Sequence, residues 1–342
     1  MAPLSPQTKR AHWFLWGIAF LLAAGWPLAV GIVRPGITGY APAMLPDMIH
    51  GRAHRPFVKR QLVPLVVRAG LAITPRPLDD RLREAFERSS LVRRLRWPAQ
   101  DAPEFVLTLL VMYLSLLGFL AVLPRLLQTL LVIPETAARA ATLLLAVALP
   151  VTYAGKLYIY DYTQLLLFTA CLLCIIRRRW VWYYPVFVLA CVNKETSILL
   201  AAVFAVWQGR HVLSRVNLPH FVAQACLGLA VCTVIAWIFH GNPGSSAEWH
   251  LQRNLAPPGT RLAQIRLAVL AAGVLLAVWS TRDASPFMSR GFLVTLLPLL
   301  AATLFLGYID ELRDYYEALP LGLCLVLLTV GRRRGVRPQV IA

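Results

Sequence analysis

Two charged residues, Lys194 and Glu195, interrupt an otherwise apolar stretch of the chain, "LACVNKETSILLAA". They are the only charged residues between Trp180 and Trp207. Ionisable groups inside an apolar, membrane-like segment are costly, and those that occur usually serve a function. We therefore treat this pair as a candidate functional site. The competing interpretation is a buried ion pair with no chemistry.

Three further groups of acidic residues lie where apolar segments begin or end. Asp47 follows the first apolar segment in "APAMLPDMIHGR", and Asp161 opens the fourth in "KLYIYDYTQLLLF". The third group opens the last segment in "GYIDELRDYYEALP" and contains Asp310, Glu311, Arg313, Asp314 and Glu317. Arg313 and Glu317 have the i,i+4 spacing of a helical ion pair. Together with Lys194 and Glu195, these residues predict one polar cavity that opens to the outer side of a membrane.

Such a cavity suits the transfer of a sugar from a lipid phosphate to a hydroxyl group. Transfer needs a carboxylate that takes the acceptor proton and fixed cations that neutralise the departing phosphate. Asp47 is the candidate base, and Asp161 is the candidate for orienting the acceptor or assisting a metal. The predicted binding residues for the substrate and its phosphate are Arg60, Lys194, Glu195, Arg313 and Glu317.

A divalent cation, Mg²⁺ or Mn²⁺, is the one candidate cofactor. Asp47, His50 and His54 follow one another at i, i+3 and i+7, so on a helix they share a face that can ligate a metal. Interfacial histidines in a polar loop are the simpler interpretation of the same pattern.

The composition identifies a helical membrane protein. Of 342 residues, 58% are hydrophobic and 15% are charged, against about 25% charged in a typical soluble protein. Several uncharged runs approach or exceed the ~20 residues that cross a bilayer as a helix. We expect an all-α multi-pass bundle, one domain over residues 1–342, with about ten spans. These are predicted at 13–33, 104–124, 139–155, 158–176, 181–192, 195–207, 218–239, 263–280, 291–308 and 316–330.

Four basic clusters indicate the orientation of the bundle. They are Arg177–Arg179, Arg210 with Arg215, Arg282 with Arg290, and Arg332–Arg334. Lys and Arg concentrate in cytoplasmic loops, and ten spans with a cytoplasmic N-terminus place all four clusters there. We therefore predict a plasma (inner) membrane protein with both termini in the cytoplasm. The net charge of +18 then reflects contact with membrane lipids, and no nucleic-acid partner is expected.

The same orientation predicts that residues 180–207 enter the membrane and return to the same side. Two arms of about 12 residues rise only ~18 Å each, less than the ~30 Å hydrocarbon core. The turn 193–196 would then lie at depth and face protein or a water-filled cavity. The alternative is one long helix that buries Lys194 and Glu195 against its neighbours.

The segment between the first two spans, residues 34–103, is predicted to be a long outer loop. Two stretches, "FVKRQLVPLVVRAGLAI" and "LDDRLREAFERSSLVRRL", have the apolar periodicity of amphipathic helices on a membrane surface. Pro64 is expected to kink the first of these helices. Together the two helices would cradle the polyprenyl chain of a lipid substrate.

The order of these features resembles the GT-C-type integral membrane glycosyltransferases. The resemblance rests on the first span, the long outer loop with an early acid, the turn "YIYDYTQ" with a second acid, and "ACVNKETSILL". "RPFVKRQLVPLV" and "ELRDYYEALPL" also look like pieces of bacterial proteins of this type. The resemblance implies an inverting hexosyl or pentosyl transferase at the outer membrane face. Its donor would be a polyprenyl-phosphate-linked sugar, its acceptor a lipid, glycan or protein, and Asp47 its base.

Two other classes of function fit the same residues. A transporter or flippase of a lipid-linked sugar would use Lys194 and Glu195 as a coupling pair near the membrane midplane. A non-catalytic membrane subunit would use the ion pairs for structure alone. The sequence has no phosphate loop of the G-x-x-x-x-G-K-[ST] or G-x-G-x-x-G type, so a nucleotide-dependent mechanism has no support.

Overall fold

The computed structural model describes residues 6–33, 37–153, 156–245, 247–256 and 259–339, with side chains from residue 13 onward. These ranges form α-helices, short 3₁₀ turns and one isolated β-bridge, and they contain no β-strand. The helices of the first half are α1 (Pro6–Val33), α2 (Leu45–Ile49), α3 (Leu62–Ile73), α4 (Arg76–Arg88), α5 (Ser90–Leu95), α6 (Ala102–Leu130), α7 (Glu135–Ala148) and α8 (Asp161–Ile176). Those of the second half are α9 (Trp180–Asn193), α10 (Leu199–Gln208), α11 (Asn217–Ile238), α12 (Leu251–Leu255), α13 (Arg261–Ser280), α14 (Pro286–Leu306) and α15 (Leu319–Gly331).

Seven stretches within the described ranges are long and apolar enough to cross a membrane. They are Trp13–Val33, Ala99–Leu130, Glu135–Thr152, Glu195–Leu213, Asn217–Ile238, Arg261–Ser280 and Pro286–Leu306. Shorter apolar helices are α3, α8 and α9. A bilayer offers no water to backbone N–H and C=O groups, and a helix satisfies them within one segment. The expectation of an all-α chain with several membrane-crossing helices is confirmed.

The centre of the bundle is the contact between α6 and α8. Phe119 on α6 and Phe168 on α8 are fully buried there. Gly118 allows the close approach, because a Cβ at this position would lie 2.9 Å from the side chain of Leu166. Around this centre, α9 packs against α8, α10 against α14, and α13 against α15.

Residues 180–208 form a hairpin. α9 ends at Asn193, Lys194 is extended (φ −158°, ψ 130°), and residues 195–198 form a 3₁₀ turn that leads into α10. The ring centroids of Trp180, at the start of α9, and Phe204, near the end of α10, are 5.4 Å apart. One straight helix would separate these rings by several turns, so the chain reverses direction at the 194–198 turn.

The segment between α1 and α6 is folded, and two details differ from the sequence expectation. The first amphipathic helix begins at Leu62, which places Pro64 in the first turn of α3. The N–H groups in the first turn of a helix have no hydrogen-bond partner within the helix. Proline, which lacks an N–H, therefore does not break the helix at this position. The second is divided into α4 and α5, because Ser89 is extended (φ −74°, ψ 119°) and its hydroxyl accepts the N–H of Val92. The expected kink and the single second helix are therefore wrong.

Candidate functional site

A polar cavity of about 230 Å³ lies where five connections between helices meet. Its wall comes from residues 40–60, 156–158, 194–196, 247–250 and 299–314. Four cationic side chains of the described chain lie in this wall: Arg60, Lys156, Lys194 and Arg313. Four carboxylates accompany them: Glu195, Glu248, Glu311 and Asp314. The cavity thus combines anion-binding and proton-accepting groups from widely separated parts of the sequence.

Arg313 is buried and surrounded by carboxylates. Its Nη1 atom lies 3.3 Å from Asp314 Oδ1 and 3.7 Å from Asp161 Oδ2, and its Nη2 donates to Glu311. The guanidinium carbon is 4.2 Å from the centroid of the Tyr158 ring. A planar guanidinium offers five donors, so it can bind several carboxylates at once. This clamp fixes Arg313 in the cavity wall.

Asp161 lies behind this wall and is almost fully buried. Its Oδ2 accepts the backbone N–H of Tyr158 at 2.9 Å and faces Arg313. A carboxylate at the first turn of α8 also interacts favourably with the helix dipole. Asp161 therefore positions Arg313 and Tyr158, and in this structure it does not itself line the cavity.

Lys194 binds Glu317 across the bundle. Its Nζ atom lies 3.0 Å from Glu317 Oε1, and the same oxygen accepts the hydroxyl of Thr196. Glu317 comes from the segment before α15, whereas Lys194 lies between α9 and α10. A charge this deeply buried is tolerated only when it is paired. The pair ties the turn of the hairpin to the last helix.

The remaining polar residues of the plug attach the turn to α8. Asn193 Nδ2 donates to the carbonyl of Tyr160 and to Gln164 Oε1, both at 3.1 Å. Gln164 Nε2 donates to Ser197 Oγ at 2.9 Å, and that hydroxyl donates to the carbonyl of Ala190. Both carbonyls also accept a backbone N–H, that of Gln164 at Tyr160 and that of Lys194 at Ala190. The network therefore pairs the buried amides and hydroxyl with one another and with the backbone. The Asn-Lys-Glu-Thr-Ser stretch is thus both the turn and the floor of the cavity.

Arg60 reaches the same floor from the connection after α1. Its Nη2 lies 3.4 Å from Glu195 Oε1, its Nη1 donates to the Tyr160 hydroxyl, and its guanidinium covers the Tyr160 ring at 4.3 Å. The adjacent N–H of Gln61 donates to the carbonyl of Val192 at 3.0 Å. Of the predicted binding residues, the structure thus brings Arg60, Lys194, Glu195 and Arg313 into one cavity wall, with Glu317 directly behind them.

Several residues of the cavity are not predicted by the sequence pattern. Lys156 lies 3.7 Å from Glu311 and over the rings of Tyr40 (4.4 Å) and Tyr308 (5.2 Å). Burial and the negative charge of Glu248 raise the pKa of the Tyr40 phenol above its ordinary value, so its hydroxyl remains a hydrogen-bond donor at neutral pH. The one available signal for Lys156 is its place in the same short turn, "GKLYIYD", as Asp161.

Glu248 and His250 form a second missed feature. His250 Nε2 lies 3.3 Å from Glu248 Oε2, and the His250 ring packs against Tyr308 with centroids 4.5 Å apart. Both residues line the cavity. The Glu248 side chain is 48% exposed and Glu195 is 46% exposed, which makes them the most accessible carboxylates among those assigned to the wall. Glu248 and His250 come from a loop without hydrophobic periodicity, so the sequence pattern does not mark Glu248 as a cavity residue.

Asp47 occupies a different place from the one expected. It is not part of the described cavity wall. Its Oδ1 lies 3.3 Å from Arg52 Nε, with the carboxylate 42% exposed. The chain turns tightly after α2, because the N–H groups of Arg52 and Ala53 both donate to the Asp47 carbonyl. The expectation that Asp47 and Asp161 both face one chamber therefore does not match the structure.

The proposed metal ligands are also separated. His50 Nε2 faces Glu104 at 3.6 Å, while Asp47 faces Arg52. Among the residues that the structure describes, no three His, Cys, Asp or Glu side chains are grouped closely enough to bind a metal ion. The residues at Asp47, His50 and His54 do not fit a Mg²⁺ or Mn²⁺ site, and we derive no step through such an ion.

Comparison with known proteins identifies no relative: no family model, no curated protein and no solved structure matches the chain. A functional assignment therefore depends on the chemistry of the cavity and on its place in the bundle.

Proposed function

We propose that the chain is a multi-pass membrane glycosyltransferase of the GT-C type, which moves a sugar from a polyprenyl-phosphate donor to a lipid, glycan or protein acceptor. The observation that carries the proposal is the cavity wall, in which four cations, accessible carboxylates and aromatic rings converge. Cations positioned at a departing phosphate stabilise the charge that develops there. An accessible carboxylate supplies the base.

In the proposed reaction the acceptor oxygen attacks the anomeric carbon of the donor sugar. The bond between that carbon and the phosphate oxygen breaks, and its electron pair leaves with the polyprenyl phosphate. Arg60, Lys156, Lys194 and Arg313 would bind the leaving phosphate. The acceptor proton passes to a carboxylate of the wall.

We assign the base to Glu248, since the base must contact the acceptor and Asp47 does not line the cavity. Glu195 is already engaged by Arg60, whose Nη2 lies 3.4 Å from its Oε1, so it is less free to contact an acceptor. The partner of Glu248 is a histidine, which can receive the proton in turn. Asp161, Glu311 and Glu317 would hold the cations in place.

The finer topology belongs to the same proposal: ten passes in the plasma (inner) membrane, with both termini in the cytoplasm. It is supported by the ends of four helices. α8, α10, α14 and α15 each have one end at the cavity and a basic cluster at the other, namely Arg177–Arg179, Arg210, Arg290 and Arg332–Arg334. If basic clusters mark the cytoplasm, the cavity opens to the outer side. α9 and α10 have 14 and 10 residues and rise only ~21 and ~15 Å, so their turn would lie at depth.

The experiment begins with mass spectrometry of lipids and glycans from cells with and without the protein, which identifies the product. Formation of that product is then measured in membranes containing Glu248→Gln. We expect a loss of about 10²–10⁴-fold, the usual contribution of a general base. Glu84→Gln is the matched control, because the Glu84 carboxylate on α4 is more than half exposed and pairs with Arg88 outside the cavity wall. Wild-type turnover in Glu248→Gln would remove Glu248 as the base, and identical lipid and glycan profiles would contradict a transferase.

A transporter or flippase of a lipid-linked sugar is the second candidate, and the buried Lys194–Glu317 pair favours it. The sequence analysis paired Lys194 with Glu195, but these neighbours bind different partners, Glu317 and Arg60. A cysteine at Thr196 separates the two candidates. A transporter exposes this position to impermeant thiol reagents from both sides in turn, whereas the transferase exposes it from the outer side alone.

A further inference from the structure

An apolar groove of about 270 Å³ lies beside the polar cavity, between α13, α14 and α15. Its wall includes Val269, Leu270, Val274, Phe292, Leu296 and Leu323. Within the described part of the chain, no charged side chain lines it. The groove therefore suits a hydrocarbon ligand and offers nothing to an ionic one.

The groove and the polar cavity share a partition one chain thick. Tyr315 lines the groove, and its hydroxyl lies 2.7 Å from the hydroxyl of Thr303, which lines the cavity. Leu312 likewise faces the groove, while the residues on either side of it, Glu311 and Arg313, face the cavity. The apolar and the ionic surfaces are thus the two sides of the same short segment.

Helix α14 carries both surfaces on one face. Phe292 and Leu296 line the groove, and Leu299 and Thr303 line the polar cavity. Steps of four, three and four residues keep these side chains on the same face of a helix. Leu296 and Thr303 are seven residues apart, a rise of ~10 Å. An elongated molecule lying along α14 would therefore pass from the groove to the cations within about two turns, provided that the contact between Tyr315 and Thr303 opens.

The groove is bordered by α13, one of the helices long and apolar enough to cross a membrane. Gly273 lines it from this helix, and a Cβ at Gly273 would meet no atom within 4 Å. Gly322 lines it from α15, where a Cβ would lie 3.1 Å from the Phe292 ring, so this ring packs closely there. The open space at Gly273 leaves room along the groove, and in a bilayer the molecules available to fill such a space are lipid chains.

We propose that this groove binds the hydrocarbon chain of the lipid substrate whose phosphate occupies the polar cavity. The part of this inference that places the lipid phosphate in the polar cavity rests on the proposed function. The inference replaces the expectation that the amphipathic helices of the first loop cradle the chain. Those helices, α3 and α4, pack against α6, whereas the groove adjoins Arg313 and the rest of the cavity through the 311–316 segment. An apolar chain joined to a phosphate matches the sequence of surfaces along α14.

The test uses the full chain in bilayers and a long-chain prenyl phosphate that carries a photoactivatable diazirine in its chain. Gly273→Trp fills the groove, since the position has open space. Gly17→Trp on α1 is the matched control, because a Cβ there also meets nothing within 4 Å. We expect wild-type crosslinks on peptides of α13–α15, a loss of at least ~10-fold in Gly273→Trp, and a change within ~2-fold in Gly17→Trp. Equal labelling of wild type and Gly273→Trp, or crosslinks confined to α3 and α4, would overturn the inference.

Two further arms identify the occupant. A photoactivatable phosphatidylglycerol should label the groove less than the prenyl phosphate, and equal labelling by both probes would contradict a substrate site. An adduct between two copies of the chain at α13 would assign the groove to a helix of a second copy and also overturn the inference. If the prenyl probe labels the groove while the lipid and glycan profiles of cells do not depend on the protein, the transferase proposal fails and the groove assignment stands.

Discussion

Lys194 Nζ lies 3.0 Å from Glu317 Oε1, and the two side chains are only 6% and 0% exposed. This pair joins the turn of the 180–208 hairpin to the start of the last helix. It also explains why a lysine occurs in the middle of an apolar stretch: its charge is neutralised by an acid from a distant part of the chain. The pair is therefore part of the framework of the cavity as well as part of its floor.

The first prediction concerns this pair. Lys194→Met leaves a buried carboxylate without its partner, and we expect a loss of about 3–5 kcal/mol in unfolding free energy. The double variant Lys194→Met with Glu317→Leu removes both charges and should recover most of this stability without recovering turnover. Thermal unfolding of the purified variants in detergent measures both effects. A single variant as stable as wild type would show that the ion pair does not contribute to the fold.

The second prediction concerns the geometry of Arg313. Arg313→Lys keeps the positive charge but cannot bind Asp161, Glu311 and Asp314 together, because an ammonium group lacks the planar fork of donors. We expect turnover to fall at least ~10-fold and stability to fall by about 1–3 kcal/mol. Arg88→Lys is the control, since Arg88 is exposed and pairs with Glu84 on the same helix. Equal activity in Arg313→Lys would mean that a point charge suffices at this position.

The third prediction contrasts two aspartates. Asp47→Asn removes an exposed pair with Arg52, so we expect a stability loss of no more than about 1 kcal/mol. Its turnover should stay within ~2-fold of wild type, since general-base catalysis is not lost. Asp161→Asn weakens the buried clamp on Arg313 and should lower both stability and turnover. Product formation and thermal unfolding are measured in the same preparations. A folded Asp47→Asn protein without turnover would restore Asp47 as the base and contradict the assignment to Glu248.

The fourth prediction tests the turn of the hairpin. Asn193→Leu has a similar volume but leaves the buried Gln164 Oε1 without its Asn193 donor, while the Tyr160 carbonyl keeps the N–H of Gln164. We expect a loss of about 1–3 kcal/mol. Asn217→Leu is a matched control outside the cavity, at the start of α11, where the amide bonds to Gln208 and His211 near the surface. Equal effects of both substitutions would argue against a special role of the buried network.

The fifth prediction tests the orientation in the membrane. Single cysteines are placed at Glu84 on α4 and at Arg333 after α15, in a chain whose six native cysteines are replaced. The proposed topology expects an impermeant thiol reagent to label position 84 from the outer side of intact cells, and position 333 only after the membrane is permeabilised. Labelling of position 84 only after permeabilisation would reverse the orientation and place the cavity on the cytoplasmic side.

Much of the architecture follows from local sequence pattern. Uncharged runs predict membrane helices because backbone groups in a bilayer must bond within their own segment. The helices α1, α6, α11, α13 and α14 coincide with predicted segments to within a few residues at most of their ends. The turn at Asn193–Ser197 also has a local signature, since polar residues interrupt an apolar run there.

The pairing of charges is not local and could not be read from the sequence. Nothing near Lys194 indicates that it binds Glu317 rather than Glu195, since the choice depends on where the fold places the segment before α15 relative to the hairpin. The same holds for Asp47, whose carboxylate turns to Arg52 because the chain bends tightly after α2. Lys156, Glu248 and His250 lie in loops, where no periodicity marks a residue as facing a cavity.

The four cations of the cavity come from four separate connections, between α2 and α3, before α8, within the hairpin and after α14. During biogenesis a nascent chain that has inserted only its first helices would carry Arg60 and Lys156 but neither Lys194 nor Arg313. Such an intermediate holds only two of the four cations of the proposed anion-binding cavity. The cavity would be complete only when the final hydrophobic segment leaves the translocon and packs against the earlier helices. Under the proposed function, the protein would therefore become active only after complete assembly.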